Sequence, residues 1–301
     1  MQISRRLPIL VLLILLCVAP AAVHAQLQVS LEFSRRLFVL HEPIEATVQI
    51  RNLTGREITL RDDGNKNWFA FDVTRPDGGF VEPTGSYQLG QLVIQSGDTV
   101  RRKINITPLY QIREFGIHRV RAQIYFADMD KLFVSQRKLI EITEGKTLWR
   151  QTVGVPEGMG AAGETRTYSL LSHSVGRGKR LYVRVADPQS GITYGTYSIG
   201  RLLTFGDPFV EIDSQSRLHV LHLVAPKQYQ YTVVDLDGRV AERSQYITTR
   251  TEPRLRRRSS GSIAVAGGEL YAPAAQAVAD SSALSDGPPK LSDRPPLQAP
   301  N

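Results

Sequence analysis

Through the first half of the chain apolar residues fall at every second position, in short runs closed by turn residues. Leu27, Val29, Leu31 and Phe33 alternate with polar neighbours, as do Ile44, Ala46, Val48 and Ile50. Phe69, Phe71 and Val73 continue the pattern, then His118, Val120, Ala122, Ile124 and Phe126. A period of two sets one face on a core and the other in water, so these runs predict strands. Asn52-Leu53-Thr54-Gly55, Pro76-Asp77-Gly78-Gly79, Gln95-Ser96-Gly97-Asp98 and Asp128-Met129-Asp130 supply the turns between them. About seven or eight short strands with no helical period predict an antiparallel β-sandwich over residues 27–145.

From residue 146 a glycine-rich joint, Val153 to Gly160, leads into further strands, and residues 146–250 read as a second small antiparallel β-domain. It contains an internal repeat: RLYVRVADPQSGITYGTYSIGR, about residues 180–201, aligns with RLHVLHLVAPKQYQYTVVDLDGR, about residues 217–239. Leu181 matches Leu218, Val183 matches Val220, Tyr194 matches Tyr231, and Gly200-Arg201 matches Gly238-Arg239. Each copy predicts a strand, a turn, a second strand and a glycine turn, with Tyr168–Leu171 or Phe209–Ile212 as a further strand upstream. Within the second copy RLHVLHLV is too short for a helix and reads as a strand, which points His219 and His222 to opposite faces. The match to Val185 predicts His222 as a buried, hydrogen-bonded packing residue; the match to Tyr182 predicts His219 nearer a surface.

The order LFVLHEPIEATVQIRNLTGREITL, WFAFDVTRPDGG, IQSGDTVRRKINI and FGIHRVRAQIYF resembles bacterial immunoglobulin-like modules, including the Bacillus-type intracellular proteinase inhibitor. That resemblance implies an Ig-like sandwich; no reactive loop of an inhibitor is matched residue by residue. FVEID followed by LHVL and then by DLDGR is similar to blades of BNR or sialidase-type β-propellers. Two copies, with a stub of a third at Gly261–Gly268, are fewer than the roughly four blades a closed propeller needs. The blade-like repeats are therefore expected as two small sheets stacked on each other or on the first domain.

The ends change the picture of where the chain works. Arg5 and Arg6, an apolar core from Leu7 to Val18, and Val23-His24-Ala25 predict a signal peptide over residues 1–25, cleaved near Ala25, and hence an exported, periplasmic or extracellular protein. Residues 272–301, rich in Ala, Pro, Ser and Asp, predict a disordered tail that looks like those of secreted proteins of environmental bacteria. The single cysteine, Cys17, lies in the leader, so the mature chain holds no disulfide or thiolate site.

The net charge is +8, or +6 without Arg5 and Arg6, and five arginines fall between Arg250 and Arg258. Residues 251–271 read as a basic linker, with Arg254, Arg256, Arg257 and Arg258 as a candidate contact to an anionic surface. For an exported protein the partners implied are a protein or polysaccharide of the cell envelope, or an anionic membrane surface, rather than nucleic acid.

Catalytic signals are sparse. No P-loop, G-x-G-x-x-G, G-x-S-x-G or H-E-x-x-H arrangement is present, so no cofactor is expected. The histidine pair cannot converge on one ion from a strand, so no metal is expected. The oxygen-rich Arg61–Asn67 loop departs from the calcium-loop order and reads as a polar turn. Asn52-Leu53-Thr54 and Asn105-Ile106-Thr107 match the glycosylation sequon by coincidence. Glu211, Asp213, Asp235 and Asp237 could assemble a pair of hydrolytic acids, but three of them sit at strand ends where Asp makes turns. The reading is a non-enzymatic binding or envelope-structural protein, with an exported glycosidase-like hydrolase or an inhibitor of a secreted protease as alternatives.

Overall fold

The computed structural model describes residues 27–158, 163–176 and 178–271. The expected leader and tail lie outside the described residues. Within them there is no α-helix, and no helix is long and apolar enough to cross a membrane. The chain forms two compact units that divide between Gly145 and Lys146.

The first unit contains ten strands: β1 (Leu27–Phe33), β2 (Leu37–Val39), β3 (Glu45–Asn52), β4 (Ile58–Leu60), β5 (Phe69–Thr74), β6 (Leu92–Ile94), β7 (Thr99–Asn105), β8 (Gly116–Phe126), β9 (Lys131–Val134) and β10 (Lys138–Thr143). β1, β3 and β7 make one sheet in that order, and β2, β10, β8 and β5 make another, with β9 beside the far half of β8. Only β2 and β10 run parallel within these sheets. Four strands, β2, β4, β6 and β9, are three or four residues long, too short for a period of two to register, which is why the chain holds more strands than its pattern predicts.

The alternation is realised as burial. Ala46, Val48 and Ile50 of β3 and Val120, Ala122 and Ile124 of β8 enter one core with Phe38, Trp68, Phe69, Phe71 and Ile140. Transfer of such side chains out of water contributes about 25 cal/mol per Å² and is the main stabilising term. His118 lies in the same inward row, fully buried, and burial lowers its pKa. Asn52, equally buried, donates its amide to the carbonyls of Arg56, Ile94 and Gln95, while its Oδ1 accepts from the Thr54 amide and hydroxyl. This sequon is thus a turn organiser whose amide is already committed. The Arg61–Asn67 loop is a polar turn: Asp62 accepts from the Trp68 amide, and Lys66 pairs with Asp130 at 2.8 Å.

The second unit begins with a four-stranded antiparallel meander, β11 (Lys146–Gly154), β12 (Thr165–Val175), β13 (Gly178–Ala186) and β14 (Thr193–Leu202). A second meander follows, β15 (Phe209–Ile212), β16 (Leu218–Ala225), β17 (Gln228–Val234) and β18 (Val240–Ile247). Next come β19 (Arg254–Arg257) and β20 (Ile263–Ala266), which pair as a hairpin, and β21 (Glu269–Leu270), which adds to β18. Tyr168, Leu170, Leu181, Val183, Val185 and Ile199 of the first meander share a core with Leu218, Val220 and Val234 of the second, so the sheets pack face to face.

Two sequence expectations change here. The segment taken as a basic linker with a repeat stub is the ordered β19–β20 hairpin: Arg258 and Ser262 close it, with Gly261 at φ 79°. Leu255 and Val265 of the hairpin pack on Leu221, Tyr229, Tyr231 and Val233, forming a second apolar layer on the far side of β16 and β17. β19 carries a single apolar residue, Leu255, among three arginines, too little signal for an element in that run.

The glycines matched in the repeat also differ. Gly238 closes the β17–β18 turn at φ 77°, whereas Gly200 sits inside β14 at φ 139°. A side chain at Gly200 would meet the His222 ring at 3.2 Å. The backbone of β14 thereby comes close to β16, and only glycine combines that φ with that approach. Gly200→Ala is expected to destabilise the protein by about 1–3 kcal/mol, read as a lowered midpoint in urea; an unchanged midpoint would contradict this packing.

Candidate functional site

A polar cluster of the second unit, Asp213, Arg217, His219 and Tyr231, grows from a five-residue turn. The Asp213 amide bonds to the Arg217 carbonyl and the Ser216 amide to the Asp213 carbonyl, with Ser216 in the left-handed region at φ 60°. Asp213 Oδ1 accepts from the backbone amides of Gln215 and Arg217, both at 2.9 Å. Its Oδ2 accepts from Arg217 Nε at 2.8 Å and meets His219 Nε2 at 3.0 Å. The β17–β18 turn is built the same way: Asp235 Oδ1 accepts from the amides of Asp237 and Arg239, and Gly238 takes the left-handed position. Asp four residues before Arg, with Ser or Gly between, is the sequence signal common to both turns.

His219 is 3 % exposed, not near a surface as its match to Tyr182 suggested. The β19–β20 hairpin covers the face on which it stands. Burial would raise the Asp213 carboxyl, but hydrogen bonds from His219 and Arg217 hold it below the usual carboxylate value. An ionised Asp213 accepts only, so His219 Nε2 carries the proton. Nδ1 is then an acceptor and takes the Tyr231 hydroxyl, 2.7 Å away. Burial pushes the imidazole pKa down and that of Tyr231 up, leaving both rings neutral. The outcome is a chain of donors from Tyr231 through His219 to a carboxylate that Arg217 neutralises.

His222 turns to the opposite face and is 1 % exposed, against Gly200. It is buried as expected, but neither ring nitrogen has a hydrogen-bond partner of good geometry. Desolvation dominates, the Arg201 backbone offsets only part of it, and the pKa falls to about 4.

The remaining candidate acids are spread out. Glu211, on β15, pairs with Arg257 at 2.9 Å, and exposed Asp237 lies 3.7 Å from Arg239. Among the described residues no three His, Cys, Asp or Glu side chains converge to hold a metal ion. Glu211, Asp213, Asp235, Asp237 and His219 are thus each engaged in a turn, a buried bond or a surface pair, and His222 is buried and neutral.

The four arginines divide. Arg257 lies on the inward side of β19, bonded to Glu211 and to the Ile212 carbonyl at 2.6 Å. Arg254 pairs with Glu252 at 3.4 Å. Arg256 and Arg258 are exposed and have no ion pair among the described residues. Hairpin pairing decides this division, because alternate residues of a strand face opposite ways.

No protein-family model matches the chain, and no curated protein matches it.

Asp213→Ala should cost about 3 kcal/mol, because it strips the turn of its acceptor and leaves His219 and Arg217 without their anion; denaturant unfolding reads this. Acid should weaken the fold through His222. Its pKa is about 4 folded and near 6.5 unfolded, so the unfolded state binds the extra proton. Stability is therefore full above pH 6.5, falls by about 3 kcal/mol down to pH 4, and gains no further loss from this group below that. Lowered by burial, His219 and His118 act in the same direction. Urea midpoints between pH 7.5 and pH 4 should fall less in His222→Leu than in the parent; parallel curves would contradict the assignment.

Proposed function

We propose that this chain is a non-enzymatic, exported binding protein of the cell envelope, built from an Ig-like β-sandwich and a unit of two blade-like meanders. The β19–β20 hairpin is its contact to an anionic envelope surface. One observation carries this reading: the candidate acids and His219 are engaged in internal bonds and His222 is buried and neutral, while Arg256 and Arg258 stand exposed, with no counter-ion among the described residues, on a packed hairpin. The hairpin is held at three places, through Arg257 to Glu211, through the Gly261 carbonyl to the Ser214 amide, and through Leu255 and Val265 to the second apolar layer. Charges on such a support lose little conformational freedom on binding, which favours attraction to phosphate, carboxylate or sulfate groups.

The leader supports export, and the absence of cysteine beyond it suits a chain that folds by burial alone. The blade-like reading is supported by the two four-stranded meanders, the second of which carries the D-x-x-[SG]-R turn twice.

Retention on an anionic polysaccharide matrix tests the proposal. The protein should be retained at low salt and released as salt rises, since the Debye length shrinks to about 8 Å at physiological ionic strength. Joint Arg256→Glu and Arg258→Glu substitution should weaken retention about tenfold while leaving the melting temperature unchanged. Equal retention of variant and parent, or retention indifferent to salt, would remove the hairpin from the function.

A further inference from the structure

At one end of the second unit, β14 passes into β15 through a loop whose base is fixed by the Leu203 amide bonding to the Leu223 carbonyl at 3.0 Å. Two residues on, Phe205 is 86 % exposed, the highest value for a large hydrophobic side chain among the described residues. A lone exposed apolar residue is ordinary on a protein surface. What surrounds this one is not.

Arg180 and Arg201 stand directly opposite each other in the β13–β14 register, and Lys179 is opposite Leu202. Lys227 occupies the β16–β17 turn at φ 62°, and its carbonyl accepts from the Thr248 amide, which brings the segment leading to Arg250 to the same end. All five cations are exposed, and none has an ion pair among the described residues. Asp207 is the acid of the connecting loop.

Like charges directly opposed on an antiparallel pair destabilise it, so the Arg180–Arg201 pair does not serve the fold. Phe205, in water, contributes no burial either. Both features are satisfied together by a surface that offers negative charge beside an apolar phase. An anionic polymer supplies the first but not the second.

We propose that this end of the unit docks on an anionic lipid bilayer, with Phe205 entering the boundary between headgroups and acyl chains while Lys179, Arg180, Arg201, Lys227 and Arg250 rest against the headgroups. The arrangement follows the division of labour of peripheral membrane contacts, in which apolar insertion and charge attraction add. It is separate from the β19–β20 hairpin: Arg257 binds at the Ile212 end of β15, and the Phe205 loop enters at the Phe209 end.

The test uses the full chain and vesicles of phosphatidylglycerol mixed with phosphatidylcholine, against vesicles of phosphatidylcholine alone. Residues 1–25, with Arg5 and Arg6 ahead of an apolar run, are common to parent and variants, so the readout is the change that each substitution makes in the ratio of the two affinities. The parent should prefer the anionic vesicles, and that preference should shrink with salt. Each cation near the surface contributes about fivefold, so joint Arg180→Glu and Arg201→Glu substitution should lower the ratio by about 25-fold or more. Phe205→Ala, at an exposed loop position, should weaken anionic-vesicle binding about tenfold. In Phe205→Trp, brominated acyl chains should quench emission beyond the quenching of Trp68 and Trp149 in the parent.

An unchanged ratio in the arginine variant, or no added quenching, would overturn the proposal. So would loss of the preference on joint Arg256→Glu and Arg258→Glu substitution alone, which would assign the lipid contact to the hairpin. Displacement by a soluble anionic polysaccharide with equal affinity for parent and Phe205→Ala would reassign this end to a polymer.

Discussion

Burying both faces of β16 sets the terms for the rest of the second unit. Leu218 and Val220 meet the first meander, Leu221 meets the layer under the β19–β20 hairpin, and five consecutive residues from Leu218 to His222 are buried. A strand covered on one side only would alternate with solvent. Here covers are needed on both sides, and polar groups caught between them must find partners or lose their charge. His219 finds Asp213 and Tyr231, whereas His222, with no good partner, is held neutral by a depressed pKa.

The Asp213 turn couples this burial to the path of the chain. One carboxylate closes the hairpin through two backbone amides, neutralises Arg217 and fixes the tautomer of His219. The twin turn at Asp235 does the first of these tasks without a histidine, so the turn geometry is the shared device and the histidine network is added to it in one copy. The same economy appears in the first unit, where Asn52 serves several backbone groups around its turn. Polar residues that resemble sites in the sequence are, in these places, supports for strand connections.

The proposed contacts fall to what stays outside. The hairpin that shields His219 also carries Arg256 and Arg258 outward, because the strand period that points Leu255 at the core points its neighbours at solvent. The loop at Phe205 and its surrounding cations make a second outward-facing feature of different chemistry, apolar as well as basic. Both are products of strand register rather than of local composition.

Local pattern alone determined the all-β class, the principal strands of the first unit, their turns, and the opposite facing of His219 and His222, because a period of two and turn chemistry are properties of neighbouring residues. It also carried the approximate duplication of strands between residues 180 and 239, although Gly200 and Gly238, which align in the repeat, serve different ends. The burial of His219, the conversion of an arginine-rich run into a hairpin, and the sorting of its arginines into paired and free were decided by tertiary structure. Each depends on residues far away in the chain: Leu255 and Val265 over Tyr231, Glu211 beside Arg257, Gly200 under His222. Contacts at such separations leave no mark on local periodicity, since they are made only when distant strands are brought face to face.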